Sequence, residues 1–190
     1  RPRQVTVVSL ARAGTPVGAL LARALRWLGR TDVRHYSISI IRDRGIDENA
    51  LAFILRNAGR APAGLAFVDG WTAKGVIGEE LHRALKRWNA HQSEPLEEAL
   101  HVVSDIGGVA DVAATYDDYA IPSGILNATV SGLTSRSILN AAIGPNDFHG
   151  CVFYREFAPH DRSGWFLDQV AGYFAAAEPV SLRRDPEERR

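Results

Sequence analysis

Apolar residues in the first hundred positions follow two rhythms in turn. Val5 to Leu10 (VTVVSL) is a short β-branched run and predicts a buried strand. After ARAGTP, the residues Val17, Leu20, Leu21, Ala24 and Leu28 fall on one helical face. Thr15 is the expected N-cap of that helix, Pro16 its first residue and Gly29 its stop. Val33 to Ile41 alternates as a second strand and runs into the charged turn IRDRGID. Asp47 is placed to cap a helix whose stripe is Leu51, Ile54, Leu55 and Ala58, ended by Gly59. Gly64 to Val68 predicts a third strand, and Ile77, Leu81, Ala84, Leu85 and Trp88 a third helix. Leu100 to Ser104 predicts a fourth strand.

Strands alternating with amphipathic helices predict an α/β fold, a mainly parallel sheet with flanking helices. Ligands of such sheets sit beyond the carboxyl ends of the strands. The loops 11–15, 42–47 and 69–75 all share that address. After residue 105 the pattern weakens into a mixed C-terminal extension. DIGGVADVAATYDDYAIPSG reads as irregular chain with one short strand, and ILNATVSGLTSRSILNAAIG as one or two helices broken near Gly132. DFHGCVFYREFAP holds a strand-like run that would bury Cys151, and WFLDQVAGYFAAA spaces its apolar residues as a helix. The expected organisation is one domain over 1–182 and a charged tail over 183–190.

Composition removes several classes. Twenty-two basic residues balance 22 acidic ones, so no net field draws nucleic acid or an anionic membrane. The single cysteine excludes an internal disulfide framework, and no apolar run reaches the roughly 20 residues of a membrane span. Together with the lack of a secretion signal, this predicts a cytoplasmic protein. Arg1 at the start and the lack of any Met imply an upstream segment outside this sequence.

The stretch 69-DGWTAKG-75 has the parts of a phosphate cradle in an unusual order, since Lys74 precedes Gly75 instead of following it. Gly70 and Gly75 admit close backbone approach, Lys74 supplies a mobile charge and Thr72 a hydroxyl. Asp69 would repel phosphate alone, but suits a ligand with hydroxyls or a divalent metal. Arg12, with the backbone of Ala13 and Gly14 before a Thr-Pro helix start, makes a second anion site. Two such sites on neighbouring strands match a ribose phosphorylated at both ends. The simpler reading gives Asp69 a capping role and leaves the glycines to make the turn.

VVSLARAGTP resembles the pyrophosphate loop of the type I phosphoribosyltransferases, and AFVDGWTAKG their loop for phosphoribosyl pyrophosphate (PRPP). More narrowly, SLARAGTPVG, HYSISIIRDRGIDENA, FVDGWTAKG, DDYAIPSGILN, SGLTSRSILN and DFHGCVFY resemble the phosphoribosyltransferase-like proteins of tellurite-resistance gene clusters, over most of residues 5–170. Some of these carry the label "cysteine protease StiP family". The resemblance implies Mg²⁺-dependent transfer of a 5-phosphoribosyl group from PRPP to a small nitrogenous acceptor, with release of pyrophosphate. Carried over, Asp69 would accept the ribose hydroxyls and meet Mg²⁺ indirectly or through PRPP. The backbone of Thr72, Ala73, Lys74 and Gly75 would cradle the 5-phosphate, and Ala13 and Gly14, with Arg12, would face the pyrophosphate, while Thr15, Gly70 and Trp71 would be further substrate-binding residues. Arg42, Asp43 and Arg44 would lie near the mouth. Asp69, Arg12 and Lys74 are the expected catalytic set, with a homodimer possible. The chain departs from the family in having Gly70 at the place of a second acid, and Ala73-Lys74-Gly75-Val76 for the usual Thr-Gly-x-Thr turn.

Two other readings compete. One is a non-catalytic module that senses PRPP or a nucleotide. The other is a cysteine peptidase with Cys151 as nucleophile, His149 or His160 as base, and Asp161 or Asp147 to orient it. A metal site from His149, Cys151, His160 and Asp161 lacks the close paired spacing of zinc sites. His35, His82, His91 and His101 read as ordinary strand or surface histidines, and Asp117, Asp118 and Tyr119 as a solvated turn. Ser131, Ser135 and Arg136 suit an anion at a helix start, although capping accounts for the serines equally well.

Overall fold

A computed structural model describes residues 4–118 and 133–177. Six strands form one sheet in the order β3-β2-β1-β4-β5-β6. They are β1 (Val5–Ala11), β2 (Val33–Ile41), β3 (Gly45–Ile46), β4 (Leu65–Thr72), β5 (Leu100–Asp105) and β6 (Val112–Thr115). All neighbours run parallel except the short β3, which turns back antiparallel on β2. The expected α/β architecture, a mainly parallel sheet with flanking helices, is thus present.

The two faces of the sheet are unequal. Alternate strand residues Val8, Leu10, Ile38, Phe67, Leu100 and Val102 join Leu51, Ile54, Leu81, Ala84 and Leu85 in the larger core. Those helical residues come from α2 (Glu48–Ala52), its π-helical continuation Phe53–Asn57, and α3 (Val76–Asn89). On the opposite face Val7, Val33, Val68 and Ala22 make a smaller core beneath α1 (Gly14–Trp27). The Asp47 carboxylate accepts the Ala50 N–H at 2.9 Å and caps α2 as expected, and Gly59, at φ +63°, ends the turn that follows.

Helix α1 differs from its expected form in two respects. It begins one residue before Thr15, with Ala13 as its cap, so Thr15 is free to pair its hydroxyl with that of Ser37 at 2.6 Å. Its buried side is Gly14, Pro16, Gly18 and Ala22, whereas Leu28 is exposed. Close approach to the sheet selects those small residues. A Cβ on Gly18 would stand 2.5 Å from His35 Nε2 and 2.8 Å from Ser9 Cβ. Strand β4 also runs further than expected, because Trp71 and Thr72 stay in register with Ser104 and Asp105.

The C-terminal part departs most from expectation. Residues 133–144 form no helix but turns, with bridges Thr134–Phe153 and Ile138–Gly150 in place of a buried strand at 151–154. Cys151 is therefore exposed, which corrects the expectation of burial. A 3₁₀ segment (Arg155–His160), α4 (Ser163–Ala171) and a second 3₁₀ turn (Phe174–Ala176) follow, and none of them buries a residue. No described helix is long and apolar enough to cross a membrane. The 183–190 tail, Tyr119, Ser131 and Gly132 lie outside the described residues.

Candidate active site

The carboxyl ends of β1, β2 and β4 open into a cavity of about 530 Å³. Leu10, Ile40, Ile41 and Ile77 give it an apolar floor, while Arg12, Arg42 and Arg136 stand around it with Asp69. β1 delivers Arg12 one residue past its end, and β2 delivers Arg42 in the same way. The Arg12 guanidinium donates to the Thr134 carbonyl at 2.8 Å, which ties the cavity to the C-terminal part. The turn after Arg42 is held in place from α3. Asp43, at φ +62°, donates its N–H to the buried carboxylate of Glu80 at 2.9 Å, and Glu80 also accepts from Arg83 at 2.9 Å. Those bonds and the charges of Arg83 and Arg87 outweigh its burial and keep the Glu80 pKa low.

Asp69 lies within β4, not at its end, and one carboxylate oxygen accepts the Gly70 N–H at 2.7 Å. Burial pushes its pKa up to about 6, against the lowering effect of that bond. The rest of the expected phosphate cradle turns elsewhere. None of Gly70, Trp71, Thr72, Ala73, Lys74 or Gly75 lines the cavity. Thr72 is buried, and its carbonyl accepts the Ile106 N–H at 3.1 Å. Ala73 packs against Gly107, and Gly75, at φ +74°, against Val109. Trp71 and Lys74 are exposed at the surface. Of the other expected residues, Ala13 lines the cavity, Gly14 is buried against Val68 and Asp69, and Arg44 is exposed. The sheet thus brings together Asp69, Arg12 and Arg42, but Lys74 does not join them.

A second cavity, of about 440 Å³, adjoins the first and shares Ala11 and Arg12 with it. Thr15, Pro16 and Ala19 of α1, Ser37 of β2, Leu133 and Thr134, Cys151, and Ser163 and Leu167 of α4 complete its wall. A third cavity, of about 320 Å³, holds His149 beside Ser37, Ser39 and Asp47. The His149 ring pairs Nδ1 with Ser39 Oγ at 2.8 Å, and its backbone N–H donates to the Asp47 carboxylate at 2.7 Å. Asp147 and Asp161 are engaged locally, with the N–H groups of Gly144 and Ser163. Neither serves to orient a histidine. Ser37 and Ser39 escaped the sequence reading, although the alternation HYSISII signals them, since His35, Ser37 and Ser39 are polar on one side of that strand. Among the described residues no group of three or more His, Cys, Asp or Glu side chains converges to hold a metal ion. His35 pairs with the buried Ser9 at 2.8 Å beneath α1 and opens to neither cavity.

Residues 1–171 match the family model described as "Tellurite-like stress resistance cysteine protease StiP". A curated relative, "Cysteine protease StiP" of Acinetobacter baylyi, is 45% identical over 175 residues. That alignment takes in 87% of this chain but 44% of the relative, so the chain spans less than half the relative's length. Two solved structures, described as analyses of an invariant aspartic acid in HPRTs (alanine and asparagine mutants), align with TM-scores of 0.39 and 0.38 at 16% and 15% identity. Each alignment covers 59% of this chain, and 62% and 60% of the solved chains. The family and its curated relative are both named for a cysteine protease. That finding overturns the expected Mg²⁺-dependent phosphoribosyl transfer from PRPP, and with it the transferase class. The association with tellurite-like stress resistance agrees with the family description.

Proposed function

The chain belongs to the StiP family, and from that premise we propose that it carries the nucleophile of a cysteine peptidase, the thiol of Cys151. One observation supports this above the others. The single sulfur nucleophile of the chain stands exposed on the wall of a cavity between the carboxyl end of β1 and the start of α1. A thiol buried in a strand, as the sequence pattern suggests, could not reach a substrate carbonyl. The first turn of α1 and the Arg12 guanidinium line the same cavity, so an oxyanion forming there meets the positive end of a helix and a fixed cation.

His149 is the base in this reading. It lies two residues from Cys151, and the cavities that the two side chains line share Ser37. The bond from Nδ1 to Ser39 leaves Nε2 to take the thiol proton. No hydrogen bond joins thiol and imidazole in the free chain, so their approach belongs to the substrate complex. Sulfur bonds to the carbonyl carbon, the C–N bond breaks, and the amine leaves with the proton held by His149. Water then cleaves the thioester and restores the thiol.

The test uses the full-length protein and a mixture of synthetic peptides, with new amino termini counted. Cys151→Ala and iodoacetamide should each abolish cleavage, and His149→Ala should reduce it at least a hundredfold. Cleavage that survives in Cys151→Ala ends the proposal.

A further inference from the structure

We infer that the cavity ringed by Arg12, Arg42 and Arg136 is a subsite for a carboxylate of the peptide substrate. The assignment rests on the peptidase reading for the nature of the ligand. Its geometry is independent of that reading. Among the described residues the lining holds three arginines against one carboxyl group, Asp69, so the cavity carries excess positive charge even when Asp69 is ionised. This excess stands out because the chain as a whole has none. Guanidinium forks match carboxylates in shape, and around an apolar floor they gain strength from reduced solvation.

Position relative to the thiol selects a peptide carboxylate over a diffusible anion. The arginine-lined cavity and the Cys151 cavity meet at Ala11 and Arg12. A peptide with its scissile carbonyl at Cys151 therefore passes over Arg12 and places a neighbouring residue among the three arginines. The Arg12 side chain is fixed there by the Thr134 carbonyl. Leu10, Ile40, Ile41 and Ile77 cover the aliphatic part of that residue, and Arg42 and Arg136 reach its charged end. The carboxylate is either an acidic side chain or the chain terminus, since both offer the same two oxygens.

The deciding experiment measures binding rather than cleavage. Full-length Cys151→Ala protein is titrated calorimetrically with matched peptides. One pair differs as Glu against Gln at a single position, and another as free against amidated carboxyl terminus. We expect the carboxylate member of one pair to bind at least tenfold tighter, with the advantage lost in the added changes Arg42→Gln and Arg136→Gln. A Glu preference that survives amidation identifies a side-chain pocket, and dependence on the free terminus identifies a terminal one. Equal affinities in both pairs overturn the inference, as does discrimination undiminished in both arginine variants. Discrimination that persists while wild-type cleavage proves independent of the thiol sinks the peptidase reading and leaves the subsite standing. Thiol-dependent cleavage without discrimination does the reverse.

Discussion

Asp69 occupies a position in β4 where an apolar residue would pack at lower cost, and burial moves its pKa to about 6 from 3.8. The consequence for stability has a definite sign. The folded carboxyl keeps its proton up to about pH 6, while the unfolded one releases it near 3.8, so the folded state binds more protons between those values. Its contribution is therefore most favourable in acid and is lost as pH rises toward 6. The full shift corresponds to at most about 3 kcal/mol, reduced by whatever solvent reaches the cavity. Asp69→Asn removes this dependence. Urea unfolding of both proteins at pH 4.5 and pH 7.5 should show the variant gaining about 1–3 kcal/mol relative to wild type between the two conditions. An equal difference at both pH values would mean that Asp69 is not the group responsible. A buried carboxyl that lines a cleft with three arginines belongs with function more naturally than with packing.

Among the elements, the turn after β4 shows how tertiary contacts decide what a motif does. Gly70 and Gly75 suggest an open anion cradle, yet the turn is closed by the β5–β6 connection lying against it. A Cβ on Gly107 would fall 1.7 Å from the Ala73 carbonyl oxygen and 2.8 Å from its carbon, both backbone atoms that cannot swing aside. Gly107→Ala should cost about 3 kcal/mol in chemical denaturation. Gly78→Ala, inside α3, meets only Leu100 Cδ2 at an ordinary 3.5 Å and should stabilise by about 0.5–1 kcal/mol. Equal effects of the two changes would contradict this account of the turn. The same contrast explains which elements were legible beforehand. The limits of β2, the Asp47 cap and the Leu81, Ala84, Leu85 stripe are set by local pattern, and they appear where pattern puts them. The buried side of α1, the extension of β4 to Thr72 and the exposure of Cys151 depend on what packs opposite, so pattern missed them. The candidate site was legible in Arg12, Arg42 and Asp69, each placed by a strand end or strand register. Cys151 was legible as a candidate nucleophile but not as an exposed one, because its segment is bridged too briefly to follow strand periodicity.

Across the molecule the described chain divides into a sheet with buried cores on both faces and a C-terminal layer that rests on it without burying a residue of its own. The α4 end of the layer is attached by weak means. The ion pair between Arg23 and Asp168, at 2.6 Å, is solvent-exposed, and Trp27 meets Phe174 with ring centres 6.2 Å apart. Exposed pairs of that kind contribute about 0–1 kcal/mol. Trp165, Phe157 and Tyr173 remain more exposed than side chains of their size usually are in a well-packed layer. Local opening of α4 should therefore need much less free energy than unfolding of the sheet. This matters for function, because Ser163 and Leu167 form part of the Cys151 cavity wall, so opening α4 widens access to the thiol. Hydrogen exchange checks it directly. Amides of Ser163–Ala171 should exchange at least a hundredfold faster than those of β1 and β4, and Leu167→Ala should speed alkylation of Cys151 without changing exchange in β1. Protection of α4 equal to that of β1 would show instead that the layer is an integral part of the fold and that the cavity is rigid.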